Sequence, residues 1–444
     1  MLMPGHALPH PVAMLRVFLI LSLPLTLIFC IGGSLPLAKA DESHYAEFYT
    51  PPSPLPGDSA PGDLIRSEPS RLVLEPSGQL GAFVADGTRI MYTSTGAKGE
   101  LIAVTGTYFE PHNPWPGNGP RPLIAFSTIP YGLGDQCAPS RMFNQGMHAS
   151  VGNSGFDLML NFEETFIATM VARGFAIVVT DGEGLGTPGI PTFLNRLSGG
   201  QTLIDAARAA MKLPNTSLDP NGPVAFWGYS SGGAASASAA ELAPTYAPEL
   251  NLVGAWAGAV PADLSLILPY ADGSILVGAL GYLLNGIAAA YPELAQPLST
   301  TLTPRGVEMF ERNQVMCLVE TMMSFGLRHA APYFTTNPAE LIAAEPLKTV
   351  IDAQRIGRLK PQAPTFILAN RWDPFVPWGG GHQLALDWCA QGADVQFWTN
   401  EQPPFLNKTA TNHLLTYWVD GERSMQWVAD RFNGLPTTPN CGAI

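Results

Sequence analysis

Three runs in the first third of the chain, RIMYTST (89–95), ELIAVTGTYFE (100–110) and PLIAFST (122–128), are rich in β-branched and aromatic residues and are separated by Gly, Pro and Asn. Each predicts a strand. FEETFIATMVARG (162–174) reads as a helix leading into the buried-type strand FAIVVTD (175–181). QTLIDAARAAMKLP (201–214) has apolar positions at helical spacing, and PVAFWG (223–228) and NLVGAWAG (251–258) are the next short apolar strands. Strands alternating with helices predict a parallel α/β sheet.

The rhythm then breaks. From about Pro261 to Leu359 there are helical runs and no sheet strand, after which PTFILANRWD (364–373), the helical HQLALDWCAQGA (382–393) and VQFWT (395–399) restore it. The expected organisation is an α/β core in two parts, 73–260 and 360–444, interrupted by a mostly helical cap, 261–359. Residues 41–72, rich in Pro, Ser and Gly, are expected to wrap the surface as an irregular arm. Within the cap, Gly273 to Pro292 carries no charge. Its Asn285, its glycines and its place between two parts of one sheet predict a buried or lipid-facing cap helix rather than a membrane span.

Residues 1–40 read as an export signal: Arg16 leads an apolar run, and AKA at 38–40 is a small-x-small cleavage site. Pro24 within the run argues against a permanent anchor, and bulky Phe29 before Cys30 against a lipoprotein. Loss of Arg16 and Lys39 with this segment moves the formal charge from −13 to −15. A chain that acidic is not built to neutralise phosphates, which excludes nucleic acid as a partner. Cys137, Cys317, Cys389 and Cys441 remain, an even number that predicts two disulfides in one of three connectivities. No two lie close together, so no metal site is expected.

Gly228-Tyr229-Ser230-Ser231-Gly232 fits G-x-S-x-G, a weak signal alone in a chain with 45 glycines. Its context strengthens it: VAFWG is a strand that ends at the motif, and SGGAASASAAEL is a small-residue helix that starts from it. Such an elbow exposes the serine hydroxyl at the carboxyl end of a strand, beside the free N–H groups of a helix N-terminus. A serine nucleophile needs a base, and the base an orienting carboxylate. In this architecture both follow the serine, acid first.

Three histidines follow. His329 lies in the cap and His382 on a helix joining two strands. His413, in a loop after the last strand, is the expected base. Asp373, at the carboxyl end of its strand, is the expected acid, since Asp387 falls on a helix and Asp394 at the wrong end of a strand. Asp181 precedes the serine and is expected to order a neighbouring loop. The oxyanion hole should take one N–H from Ser231 and another from the loop IPYGLGDQCAPS (129–140).

YGLGDQCAPS (131–140), TDGEGLGTPG (180–189), GYSSGG (228–233), YAPELNLVG (246–254) and the spaced RWD and NHL together resemble the secretory lipases of fungi and actinobacteria, the Candida antarctica lipase A type. The resemblance runs over essentially the whole chain after the signal. It implies an α/β-hydrolase fold with a helical cap between nucleophile and acid, and Ser230, Asp373 and His413 as the triad. It further implies Tyr131, through its backbone N–H, at the oxyanion position, and Cys137–Cys317 and Cys389–Cys441 disulfides. Gly182 departs from the family, whose members carry a larger residue there, and the chain stops too soon after Cys441 for the long C-terminal flap of the yeast enzyme.

The expectation is a secreted serine carboxylic ester hydrolase, free or held at the cell envelope, that acts on lipid or acyl esters, at a lipid–water interface or free. No cofactor, metal or obligate protein partner is implied. The charge-free segment Ile275 to Tyr291 is expected either to bind acyl chains or to form the cap's own core. The rivals are acyl transfer on the same triad, a prolyl-type serine peptidase, for which no acidic pair or arginine cluster is seen, and a catalytically idle envelope binding protein.

Overall fold

The computed structural model describes residues 42–74, 79–152 and 155–444. The chain divides into two compact units, residues 1–48 and 49–444. In the first, the described residues, 42–48, are helical, part of the helix Glu42–Tyr49; the expected export signal lies outside the described residues.

In the second unit, nine strands form one sheet: β1 (Leu64–Ser70), β2 (Ala85–Thr95), β3 (Leu101–Pro111), β4 (Leu123–Ser127), β7 (Ala176–Thr180), β8 (Val224–Tyr229), β9 (Leu252–Gly258), β10 (Thr365–Asn370) and β11 (Val395–Asn400). Their order across the sheet is β1-β2-β3-β7-β4-β8-β9-β10-β11. From β7 to β11 neighbours are parallel, while β1, β2 and β3 are antiparallel to their neighbours. The sheet is therefore mixed rather than wholly parallel. The reason is connection length: β2 and β3 are joined by a tight turn in which Gly96 N–H donates to Glu100 O at 2.8 Å, leaving no room for a crossover helix.

The strands of the parallel part read as continuous apolar runs because both sheet faces are covered. Period 2 survives beneath that uniformity. On β8, Ala225, Trp227 and Tyr229 join one core, while Val224 and Phe226 join the core on the opposite face. On the second face lie two helices, Arg196–Met211 and Ser231–Tyr246. They approach so closely at Gly200 that a Cβ there would sit 2.8 Å from the Ser238 hydroxyl.

Two elements depart from the sequence reading. β1 lies within the supposed irregular arm, yet pairs with β2 from Leu64 to Ser70. Its Pro69 is tolerated because β1 is the sheet's edge. A hairpin of β5 (Met147–Gly152) and β6 (Gly155–Leu160) was not foreseen. One face of it carries the core residue Met159 together with a buried carboxylate, Asp157, which accepts from Gln136 Nε2 at 3.0 Å and lies 3.1 Å from His148 Nε2.

Between β9 and β10 the described residues add no strand to the sheet. They form short helices, among them Ile267–Ala271, Ala279–Ala290, Pro304–Asn313 and Leu318–Phe325. Leu280, Leu284, Ile287, Met309 and Phe325 belong to a core of this segment's own. Among the described residues no helix is long and apolar enough to cross a membrane. The charge-free stretch contains a helix of 12 residues whose Leu280 and Leu284 are buried.

Candidate active site

Ser230 stands between β8 and the helix Ser231–Tyr246 with φ 59° and ψ −120°. This is a left-handed backbone for a non-glycine residue, of the kind that costs on the order of 1–3 kcal/mol and persists only where its surroundings enforce it. Here Ser230 N–H donates to Gly258 O at 2.9 Å, and Ala234 N–H returns to Ser230 O at 3.0 Å. The glycines around it are required by close approach. A Cβ on Gly228 would lie 2.0 Å from Gly232 O, and one on Gly232 2.0 Å from Ser127 O. Gly232→Ala is therefore expected to cost about 1–3 kcal/mol of stability by overpacking and to displace the end of β4. A lowered calorimetric Tm with reduced kcat would show it; an unchanged Tm would contradict it.

Asp373, buried, is the third residue after β10. Its Oδ1 accepts Phe375 N–H at 2.9 Å and Val376 N–H at 3.0 Å, and its Oδ2 lies 2.7 Å from His413 Nδ1. A carboxylate held by two backbone donors accepts a hydrogen bond from Nδ1–H, which leaves Nε2 as the basic nitrogen. His413 is 4% exposed. Its ring centroid is 5.1 Å from that of Tyr229, the residue before Ser230, and Tyr229 Oη donates to His413 O at 2.6 Å.

His413 occupies the first turn of a helix, Thr411–Val419, not the loop expected from its sequence position. Asn412 explains how the turn is set: its Oδ1 accepts Phe405 N–H at 2.6 Å, and its Nδ2 donates to Pro403 O at 2.9 Å. The other two histidines are occupied elsewhere. His329 Nδ1 lies 3.0 Å from Asp272 on the surface, and His382 stacks on Trp378 at 4.4 Å.

Ser231 opens its helix, and among the described residues its N–H has no partner. The loop after β4 offers fewer donors than its length suggests. Ile129 N–H is taken by Glu163 Oε2 at 2.9 Å, and Pro130 has none. Tyr131 N–H is without a partner among the described residues. The Tyr131 side chain is buried and donates to Asn161 at 2.5 Å, so only its backbone is offered outward. A disulfide, Cys137–Cys317, spans 180 residues and ties this loop to the helical segment. Beside it, Leu318 N–H donates to Tyr131 O at 2.8 Å and Leu133 N–H to Met316 O at 3.2 Å. The second disulfide is Cys389–Cys441.

Asp181 accepts Ser140 N–H at 2.7 Å and the hydroxyls of Ser140 and Thr105 at 2.5 and 2.6 Å. It thus holds the helix that follows Cys137, and burial pushes its carboxyl above the usual range.

Two cavities meet at Pro130, Phe193, Leu194, Ser231 and Pro261. One is lined by Ser230 and walled by Leu264, Ile267, Leu276, Leu280 and Leu283. The other is bordered by Asp181, Glu183, Asn195 and Gln354, and Gly182 also lines it. Sequence reasoning did not single out Glu163, Asn412, Tyr229 or Tyr417. Their roles come from side-chain contacts that leave no periodic trace.

A sequence model of the secretory lipase family matches residues 153–440. The secreted triacylglycerol lipase LIP1 of Malassezia furfur is 28% identical over 430 residues, covering 96% of this chain and 82% of that protein. A Mycobacterium tuberculosis protein named as a probable inactive lipase is 25% identical, covering 91% of this chain and 84% of its own. Among solved structures, lipase A of Candida antarctica superposes with a TM-score of 0.75 at 22% identity, over 89% of this chain and 87% of that one. That likeness shows an α/β-hydrolase fold.

Proposed function

This chain belongs to the secretory lipase family, and from that premise we propose that it is a secreted carboxylic ester hydrolase acting on lipid or acyl esters through Ser230, His413 and Asp373. One observation carries the reading. A buried imidazole, hydrogen-bonded at 2.7 Å to a pinned carboxylate, packs against the residue that precedes a strained serine, and that serine opens into an apolar cavity. One relative is named a probable inactive lipase, so the reading rests on the geometry of this chain and not on membership alone.

In the proposed cycle, Ser230 Oγ attacks the ester carbonyl carbon while His413 Nε2 takes the hydroxyl proton. The N–H groups of Ser231 and Tyr131 hold the oxyanion. Collapse expels the alcohol with the proton from His413. Water, deprotonated by the same nitrogen, then attacks the acyl carbon, and collapse releases the acid as Ser230 Oγ takes the proton back from His413. Asp373 keeps the ring oriented and stabilises its charged form without itself taking the proton.

The leucine-walled cavity fits the acyl chain. Initial rates of the mature protein on p-nitrophenyl esters from acetate to palmitate test this, and the expected peak is at medium or long chains. Leu283→Trp, which fills the cavity from a half-buried position, is expected to lower the palmitate-to-butyrate rate ratio about tenfold, the scale on which apolar pockets discriminate. A rate confined to acetate, or a ratio insensitive to this substitution, would place the acyl chain elsewhere.

A further inference from the structure

Behind the oxyanion loop lies a hydrogen-bonded cluster that the cycle above does not use. Its centre is Glu163, wholly buried at the start of the helix Glu164–Ala172. Glu163 Oε2 accepts Ile129 N–H at 2.9 Å, and Oε1 accepts the Tyr417 hydroxyl at 3.1 Å. That hydroxyl accepts in turn from Trp227 Nε1 at 3.0 Å. The Tyr417 ring stacks on Phe166 at 4.1 Å and on Tyr229 at 4.3 Å. One carboxyl thus touches both the loop that carries Tyr131 and the helix that carries His413.

A carboxyl is an expensive group to bury without a cation. Among the described residues no Lys, Arg or His pairs with Glu163. The groups that face it are Ile129 N–H and the Tyr131 hydroxyl from the loop, the Tyr417 hydroxyl from the histidine's helix, and Glu164 beside it in the chain. None brings positive charge. The N–H and the hydroxyl reach different oxygens of the carboxyl, and an amide in its place offers only one acceptor oxygen.

We propose that Glu163 is a positioning residue for the ester hydrolysis proposed above, its carboxyl holding the Ile129–Tyr131 backbone in register with His413. This inference rests on the serine hydrolase reading. It has a consequence in pH. Burial pushes the Glu163 carboxyl up from 4.5 to about 8, so it holds the loop uncharged at neutral pH. Ionisation places a negative charge behind donors whose task is to stabilise developing negative charge. Activity should therefore fall as pH rises through about 8. Stability has the same sign: the unfolded chain releases this proton near 4.5 and the folded chain near 8, so folding weakens across that window.

The test is kcat and KM for soluble p-nitrophenyl butyrate against pH, in the parent, Glu163→Ala and Glu163→Gln. Glu163→Ala, which leaves Ile129 N–H and the Tyr417 hydroxyl unpaired, is expected to lose about a hundredfold in kcat, the scale of one oxyanion donor, with little change in KM. Glu163→Gln is expected to recover at least part of that loss and to lack the alkaline fall of the parent. An alanine variant as fast as the parent, or a glutamine variant with the parent's alkaline limb, would overturn the inference. If the alanine variant does not fold, the glutamine profile decides alone. Labelling of the parent by a fluorophosphonate separates this from the underlying reading: an unlabelled parent means that Ser230 is not a nucleophile, whatever Glu163 does.

Discussion

Ser230→Ala is expected to lower kcat by on the order of 10⁴–10⁶-fold on any ester the parent hydrolyses, with KM nearly unchanged. The size follows from how triads work: removing the nucleophile costs about as much as removing the whole catalytic unit, and only binding and the oxyanion donors remain. The structure makes this a clean substitution. Ser230 forms no side-chain cap at the start of its helix, so the hydroxyl is not needed to finish that helix. Loss of the hydroxyl should thus leave the melting temperature close to that of the parent. The measurement is active-site titration alongside steady-state rates, since it separates a slow enzyme from a small active fraction. A variant that hydrolyses as fast as the parent would reduce Ser230 to a serine in a glycine-rich turn and end the hydrolase reading.

The second large effect is expected at Asp373. Asp373→Asn preserves the shape of the side chain, and its oxygen can still accept the Phe375 and Val376 N–H groups that bond Oδ1 at 2.9 and 3.0 Å. The amide then turns its N–H₂ toward His413 Nδ1, which has to become the acceptor. The imidazole is left in the wrong tautomer, with a proton on the nitrogen that should serve as base. A fall in kcat of about 10⁴-fold is expected, larger than that of Glu163→Ala because it disables the base rather than the alignment of one donor. The variant should keep its fold and its KM. Rates lower by less than about tenfold would show that another group orients His413, and the orienting role would pass from Asp373.

How much of this was legible in the sequence depends on what each feature is made of. β4, β7, β8, β9 and β10 were readable because a strand covered on both faces has to be apolar throughout, and that run shows without knowledge of its partners. Ser230 was readable because its glycines answer to backbone atoms four residues away or on the neighbouring strand. The placement of Asp373 needed only the end of β10. By contrast, β1 carries Arg66, Glu68 and Pro69 and earns its place by edge pairing with β2, which composition alone does not reveal.

His413 shows a subtler limit. Its distance from β11 suggested a loop, but the side chain of Asn412 ties residues 403 and 405 back and lets a helix begin at Thr411. Glu163 was hidden for a related reason. Two acidic residues at the head of a predicted helix look like ordinary N-terminal charges, and nothing local reveals that the first is wholly buried and bonded to Ile129 and Tyr417, the latter 254 positions along the chain. Contacts of that range are set by topology, and topology is what periodicity leaves open.

The bond between Cys137 and Cys317 bears on how a substrate enters. Cys317 is the residue immediately before the helix Leu318–Phe325, and it is anchored beside the loop that presents the Tyr131 N–H. Were the helical segment free to lift as a rigid flap, each opening would drag that loop and spoil its aim. The disulfide fixes the segment to that loop at one point, as a jamb fixes one edge of a door. Whatever widening admits a fatty chain has to come from the unfastened side, where Leu264, Ile267 and Leu283 form the cavity wall. In the reading proposed above, admission of the chain and the aim of the donors are then expected to be separate events, the donor loop being tied at Cys317 and the entrance lying on the other side.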